Sequence, residues 1–345
     1  MIPIQNIYYM LSYAFQVLNE QGYKNIATEQ FNNTGELMAA ILEKGIAIQI
    51  KRGLGKEYIP QTEALSSLRG KIDIAESIKT QSMLRKQLIC TYDEFSVNSI
   101  MNRIIKSTVE LLLRSNISKQ RKKNLRKLMV YFSEVDFIDL YTVNWNFQYN
   151  RNNQTYRMLI SICYLVVKGL LQTQSNGHTK LMDFLDEQRM CRLYEKFILE
   201  YYRKEFKNQI TANASQIPWQ LDNEENSLLP VMQSDIMLQS GEKVLIIDAK
   251  YYEHSTQVQF DKHTLHSGNL YQIFTYVKNK EYELREKDHT VSGMLLYAKT
   301  DEAIYPNNVY QMSGNQITVR TLDLNLSFDE IAGQLNTIAK THFDL

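Results

Sequence analysis

Asp235, Asp248 and Lys250 have the types and the spacing to hold a cation beside an ammonium. They fall in Ser-Asp-Ile-Met-Leu-Gln-Ser-Gly-Glu-Lys-Val-Leu-Ile-Ile-Asp-Ala-Lys, residues 234–250, where two apolar segments flank a short turn. Asp is seldom fully buried without a partner, so packing alone gives neither segment a reason to carry one. Residues 231–238 and 243–250 read as strands, and Gly241-Glu242 is the Gly-X pair of a two-residue type II′ hairpin turn. With that turn Ser240 pairs with Lys243 and Asp235 lies across from Asp248, their Cβ atoms roughly 4.5–5.5 Å apart. Lys250 shares their face because side chains in a strand alternate.

Two carboxylates that close repel, and one raises its pKa unless a cation intervenes. Mg²⁺ suits the conflict, since it binds through one or two carboxylates, waters and phosphate oxygens. Such a site next to a lysine is the outline of a metal-dependent phosphodiesterase. The ion would neutralise charge at the scissile phosphate, and Lys250 would hold the attacking water and balance developing charge. Asp248 and Lys250 alone describe an ordinary solvated pair. The first acid and the buried-looking Val-Leu-Ile-Ile run lift the set above that reading.

The elements that must position these residues follow a definite order. A helix is expected over residues 187–206, with Met190, Leu193, Phe197 and Tyr201 on one stripe. Strands follow near 213–221, 231–238 and 243–250, then a helix near 268–280 and a strand over 291–298. The N-terminal half reads as mixed α/β. A helix over residues 5–19 has Ile7, Met10, Leu11, Ala14, Val17 and Leu18 on one face. A second helix starts near Asn33, with Glu36 in capping-box spacing. Short strands are expected at 57–59, 70–73 and 88–95, and helices at 97–114, 118–133 and 154–172. The polar stretch 172–178 is the expected boundary, giving domains of 1–175 and 176–345.

At 345 residues the chain exceeds the usual single-domain size. Its net charge of +1 means that any contact with nucleic acid must come from local patches. Cys90, Cys163 and Cys191 form no CxxC, which suits a reducing cytoplasm and excludes a cysteine-based zinc site. No basic region leads into an apolar core at the N-terminus, as a signal peptide would require. The most apolar stretch, 158–171, is too short to span a bilayer, so no membrane partner is expected.

The α-β-β-β-α-β order, with acids on the second and third strands, resembles the PD-(D/E)xK nuclease superfamily. Asp235 matches its first acid, Asp248 its second and Lys250 its lysine, while Ser234 stands where Pro is usual. The resemblance implies Mg²⁺ held by Asp235, Asp248 and the Ala249 carbonyl, with Glu195 on the preceding helix reached through water. Gln272 and Tyr276 share a helix face and resemble the QxxxY element of RecB-like nucleases, which implies a role with Lys250 in binding DNA. Gln272 is expected in the first helical turn, where free N–H groups favour phosphate.

Nearly the whole chain resembles the McrC family, the nuclease subunits of modification-dependent McrBC restriction systems. The segments that carry this are Ile-Pro-Ile-Gln-Asn-Ile-Tyr-Tyr-Met-Leu-Ser-Tyr-Ala from residue 2, Arg52-Gly-Leu, Leu68-Arg-Gly-Lys-Ile, and Asn102-Arg-Ile-Ile-Lys-Ser-Thr. Ile247-Asp-Ala-Lys-Tyr-Tyr and Asn269-Leu-Tyr-Gln carry the nuclease half. The resemblance implies an α/β chain whose N-terminal domain engages an AAA+ GTPase ring, McrB, and stimulates its GTP hydrolysis. The C-terminal domain would cut double-stranded DNA containing modified cytosine. The chain itself has no P-loop: neither Gly55-Lys56 nor Gly70-Lys71 carries the flanking residues. Two alternatives stay open: a nuclease subunit of a related motor-driven system that needs no methylated DNA, and a non-catalytic activator of a GTPase ring.

Other groups point less directly to chemistry. Lys119, Arg121, Lys122, Lys123, Arg126 and Lys127 form the densest basic cluster, fit for a solvated helix face, a DNA path or an acidic partner. His263 and His266 make an HxxH without a nearby acid pair. His254 flanks the hairpin. Trp145 and Trp219 read as core or interface anchors.

Overall fold

The computed structural model describes residues 2–15, 18, 23, 26, 29, 31, 33–151, 153–175, 187–222, 228–252, 257–259, 262–299 and 305–345. The chain opens with α1 (Ile4–Ala14). There follow α2 (Thr34–Arg52), β1 (Glu57–Leu65), β2 (Lys71–Asp73), α3 (Ile74–Lys79), β3 (Leu88–Ser96), α4 (Ile100–Arg114), α5 (Lys119–Met129) and α6 (Tyr156–Ser175). The C-terminal half holds α7 (Glu187–Glu205), β4 (Thr211–Asn213), β5 (Gln216–Ile217), β6 (Met232–Gln233), β7 (Ile236–Ser240) and β8 (Lys243–Lys250). It ends with β9 (Gln257–Gln259), β10 (Lys262–Thr264), α8 (Ser267–Leu284), β11 (Thr290–Ala298), β12 (Asn308–Met312), β13 (Asn315–Leu322) and α9 (Phe328–Phe343). Among the described residues, no helix is long and apolar enough to cross a membrane.

These elements form two compact units, Thr28–Phe184 and Met1–Ala27 with Leu185–Leu345. The expected division into 1–175 and 176–345 therefore needs correction at its start, because the first segment packs with the C-terminal half. The reason lies in α1. Tyr13 donates a hydrogen bond to Glu205 at 2.8 Å, and its ring meets Phe197, Tyr201 and Phe328. Asn6 is buried and donates to the carbonyls of Leu324 and Leu326, both at 2.8 Å. An amphipathic stripe demands a partner face but does not say which one. The proposed boundary segment 172–178 lies partly outside the described residues.

In the unit Thr28–Phe184, α2, α4, α5 and α6 bury Leu37, Ile41, Ile104, Val109, Leu125, Ile162 and Val166 together. A three-stranded antiparallel sheet of order β1-β3-β2 adjoins them in sequence. Asn33 caps α2 as its type predicts, accepting from the Glu36 N–H at 2.8 Å. The reciprocal half of the box is absent. The Glu36 carboxylate accepts instead from the Ser118 N–H and hydroxyl, each at 2.8 Å, at the start of α5. Arg121 reaches three acids, with contacts of 2.8 Å to Glu29, 3.4 Å to Glu36 and 2.9 Å to Glu43. This removes Arg121 from the basic cluster, while Lys119, Lys123, Arg126 and Lys127 stay exposed.

The other unit is built on a six-stranded mixed sheet of order β12-β13-β11-β8-β7-β4. β8, β11 and β13 are parallel, and β4, β7 and β12 run against their neighbours. Val244 to Ala249 are all buried, which marks a strand covered on both faces and explains its unbroken apolar run. α8 covers one face through Ile273 and Val277, against Val244, Ile246, Leu295, Ile317 and Val319. Gly293 on β11 makes that approach possible. A Cβ there would lie 2.8 Å from Ile273 Cγ1 and 2.9 Å from both Ile317 Cδ1 and Val277 Cγ2. Gly293→Ala is expected to cost about 1–3 kcal/mol by overpacking, read as a lower denaturant midpoint. An unchanged midpoint would contradict the tight contact of α8 with the sheet.

Candidate active site

The hairpin of β7 and β8 has the register expected from its turn: Ser240 pairs with Lys243 and Ile236 with Ile247. Gly241 takes a φ of +57°, which the first central position of a type II′ turn requires. One feature of the expected strand 231–238 is corrected. It breaks at Ser234-Asp235, because β6 pairs with β5 in a separate two-stranded sheet and β7 begins only at Ile236. Ser234 holds the break. It is 1% exposed, its N–H donates to the Ser215 carbonyl at 3.0 Å, and its hydroxyl accepts from the Ser215 N–H at 3.3 Å. Asp235 thus sits one residue outside the ladder, on the line that continues to Asp248. Its Oδ2 accepts the Ala249 N–H at 3.0 Å.

Asp248 is 1% exposed. Burial pushes its carboxyl well above the ordinary carboxylate range, Lys250 pulls it back, and the charge of Asp235 adds to the rise. Lys250 Nζ lies 2.9 Å from each Asp248 oxygen. Burial works against the ammonium, but the adjacent Asp248 charge and hydrogen bond outweigh it, so the Lys250 pKa is raised. Lys250 also donates to Gln272 Oε1 at 3.3 Å.

Gln272 and Tyr276 share a face of α8 as expected, and Gln272 Nε2 donates to the Tyr276 hydroxyl at 2.9 Å. Two details differ from the sequence expectation. α8 begins at Ser267, so Gln272 is past the first turn and its N–H is not a free helix end. Tyr276 is only 8% exposed and belongs to the core under α8. Its hydroxyl accepts from Gln272, and little of its side chain is exposed.

Glu195 projects from α7 toward the same place. Burial raises its pKa first, and the Asp235 charge raises it further. Sequence reasoning missed its partner, Cys191, one turn earlier on α7. The Cys191 thiol donates to Glu195 Oε1 at 3.1 Å and lies 3.8 Å from the Ala249 carbonyl. Burial, and then that bond to Glu195, push the thiol up to about 12, so it stays protonated and can donate. The i, i+4 spacing on one helix face was the available signal.

The donor set fits a hard divalent cation. Asp248 Oδ2 is buried without a hydrogen bond of good geometry, despite the nearby ammonium. Asp235 and Asp248 could supply oxygen ligands, with the Ala249 carbonyl between the Asp248 and Lys250 side chains in sequence. Among the described residues, no group of three or more His, Cys, Asp or Glu is gathered closely enough to hold a metal. A cation would therefore rest on two carboxylates and keep several waters, as Mg²⁺ does. Glu195 could then reach such a cation through water only.

The remaining sequence candidates lie elsewhere. His266 precedes α8, and its ring meets Tyr252 edge-on at 5.3 Å. The side chain of His263 and all of His254 lie outside the described residues. Trp219 packs against the core under α8 and donates to the Pro230 carbonyl at 2.7 Å. Trp145 meets Tyr164 at 5.2 Å.

A family model described as "McrBC 5-methylcytosine restriction system component" matches residues 5–298. The chain is similar to an Escherichia coli (strain K12) protein, "Type IV methyl-directed restriction enzyme EcoKMcrBC". The two are 31% identical over 335 residues, covering 94% of this chain and 93% of that protein. Among solved structures it is similar to a chain of the refined half-complex from a tetradecameric assembly of Thermococcus gammatolerans McrB AAA+ hexamers with bound McrC. That likeness has a TM-score of 0.49 at 17% identity and covers 97% of this chain and 76% of the other. A chain of the cryo-EM structure of the Thermococcus gammatolerans McrBC complex matches at a TM-score of 0.42 and 20% identity, over 59% of each.

Proposed function

The chain belongs to the McrBC 5-methylcytosine restriction system component family, and from that premise we propose that it is the DNA-cutting subunit of such a system. The observation that carries the nuclease reading is the hairpin register. It brings Asp235, Asp248 and Lys250 together at one end of the hairpin, with Gln272 on the ammonium. The order α7-β4-β7-β8-α8-β11 is read as a PD-(D/E)xK core.

Asp235, Asp248 and the Ala249 carbonyl would hold Mg²⁺, with Glu195 reached through water. When bound, the ion supplies neutralising charge at the scissile phosphate. The chain's own groups do the rest. Asp235 and Asp248 fix where that charge sits, and Asp235 is itself fixed by the Ala249 N–H. Lys250 offers N–H donors to the attacking water and to the phosphate oxygen that gains charge. Gln272 restricts the ammonium to one side, and Tyr276 restricts Gln272. The Cys191 thiol holds the Glu195 carboxylate toward the site.

A restriction system component with a near-neutral charge and no P-loop depends on other components for target choice and movement. The partner in this reading is a McrB-like AAA+ GTPase ring, engaged by the unit Thr28–Phe184, and the substrate is double-stranded DNA with modified cytosine. Purified alone at physiological salt, the chain is expected to cut DNA poorly, because sequence-independent affinity comes mainly from phosphate neutralisation. Cutting should appear with partner, GTP, Mg²⁺ and methylated DNA together. Equal cutting of unmethylated DNA by the full mixture would favour a related system without a methylation requirement. Vigorous cutting by the chain alone would overturn the dependence on a partner.

A further inference from the structure

β11 runs parallel to β8 with Tyr297 opposite Lys250. Neighbouring strands lie about 4.8 Å apart, so the Tyr297 ring walls the lysine on that side. Tyr297 is 0% exposed, which excludes contact between its side chain and DNA. Its hydroxyl is anchored: Asn269, 8% exposed, donates to it from Nδ2 at 2.9 Å. The Asn269 Oδ1 in turn accepts from the Tyr252 hydroxyl at 3.3 Å. The Tyr252 and Tyr297 rings lie 6.2 Å apart between centroids.

Asn269 and Gln272 are three residues apart on α8 and so share a face. α8 therefore acts on the surroundings of Lys250 twice, directly through Gln272 and indirectly through Asn269 and Tyr297. A phenylalanine would fill the same volume with no buried hydroxyl to satisfy. Packing alone explains none of the three polar groups gathered here, and each must be desolvated. Their common effect is to fix the tilt of the Tyr297 ring.

We propose that Tyr297, held by Asn269 and Tyr252, is a positioning residue that aligns the Lys250 ammonium for DNA cleavage. This rests on the nuclease reading above. The ammonium takes Asp248 and Gln272 as partners, and Tyr297 stands opposite Lys250 on the neighbouring strand, on the same face of the sheet. Loosening the ring lets the ammonium drift, which costs rate without removing a metal ligand or a DNA contact.

The test uses the reconstituted complex with Mg²⁺ and methylated DNA under single-turnover conditions. Tyr297→Phe is expected to lower the cleavage rate about tenfold, the effect of one misaligned interaction in the transition state. DNA binding and the half-saturating Mg²⁺ concentration should stay as in the wild type. Asn269→Ala should do the same, and the double variant should be no worse than either single one, since both act through one hydrogen bond. An unchanged rate with a lowered Tm would overturn the inference and leave a structural network. A rate loss accompanied by weaker Mg²⁺ dependence would also overturn it. If Asn269→Ala fails to fold, Tyr297→Phe decides alone, because it keeps the ring. Asp248→Ala in the same assay separates the two levels. Wild-type cutting by that variant sinks the nuclease reading, whereas a dead Asp248→Ala beside a fully active Tyr297→Phe sinks only this inference.

Discussion

Asp248→Ala is expected to lower Mg²⁺-dependent DNA cleavage by about 10³-fold or more, beyond the usual effect of removing one electrostatic group from an active site. Asp248 is buried and is the acid that Lys250 contacts, so no neighbour can take its place. Lys250→Ala should be as severe, and Asp235→Ala nearly so. Gln272→Ala and Glu195→Ala should be milder, because the first acts through Lys250 and the second through water. The same Asp248→Ala protein should still stimulate GTP hydrolysis by the partner ring. The change is confined to the unit built around the six-stranded sheet, and the proposed docking unit is Thr28–Phe184. Both activities would be measured on one preparation, with the partner saturated. Normal cleavage would remove the site assignment. A folded, assembled variant that no longer stimulates would mean that metal site and motor contact form one coupled device.

The metal-free protein is expected to lose stability relative to its Asp248→Asn variant as pH rises from 4 to 8. The sign follows from the direction in which burial moves the carboxyl. Burial holds the folded Asp248 carboxyl well above the roughly 3.9 of an unfolded Asp. The folded state therefore binds this proton more tightly than the unfolded state does. The resulting stability is fully present below about pH 4 and is lost as pH rises through the raised folded value. At pH 8 the carboxylate is ionised and buried, and its cost is carried by the fold. Asparagine keeps the shape and cannot ionise. The relative loss should be about 1–3 kcal/mol between these pH values, since a tenfold difference in proton affinity is worth roughly 1.4 kcal/mol. Which of the two is the more stable at a single pH also depends on the buried Lys250, which keeps its charged partner only in the wild type. Mg²⁺ should stabilise the wild type by about 2.7 kcal/mol at a hundredfold excess over its Kd, and the Asn variant far less. Denaturant midpoints at both pH values, with and without Mg²⁺, decide the matter. A stability difference that is the same at both pH values, or equal stabilisation of the two proteins by Mg²⁺, would show that Asp248 is not a strained metal ligand.

The hairpin was readable because its information is local. A Gly-X turn fixes register, and register puts Asp235 on the face that Asp248 and Lys250 share by alternation along one strand. The apolar run of β8 announced burial on both sides for the same reason. The break at Ser234-Asp235 was not readable, since β6 leaves the main sheet to pair with β5, a partner from a different part of the chain. Residues 231–238 contain no Gly or Pro to mark the break. Gln272 and Tyr276 were paired correctly by helical spacing. Spacing could not show that α8 begins at Ser267 or that Tyr276 faces the sheet.

By itself, then, the sequence determined what depends on neighbours along the chain: the hairpin register, the cap of α2 at Asn33, the helix faces, and the pairing of acids with Lys250. Tertiary structure decided what depends on distant segments meeting. It sent α1 to the C-terminal unit, set Cys191 against Glu195 and the Ala249 carbonyl, and gave Glu36 to Ser118 and Arg121 instead of its own helix end. It also put Tyr297 opposite Lys250 and Asn269 on the Tyr297 hydroxyl. The physical reason is that turns and caps are settled by dihedral preferences within a few residues. A buried polar group takes whichever satisfied partner the packed core brings to it, and one chain's pattern does not name that partner.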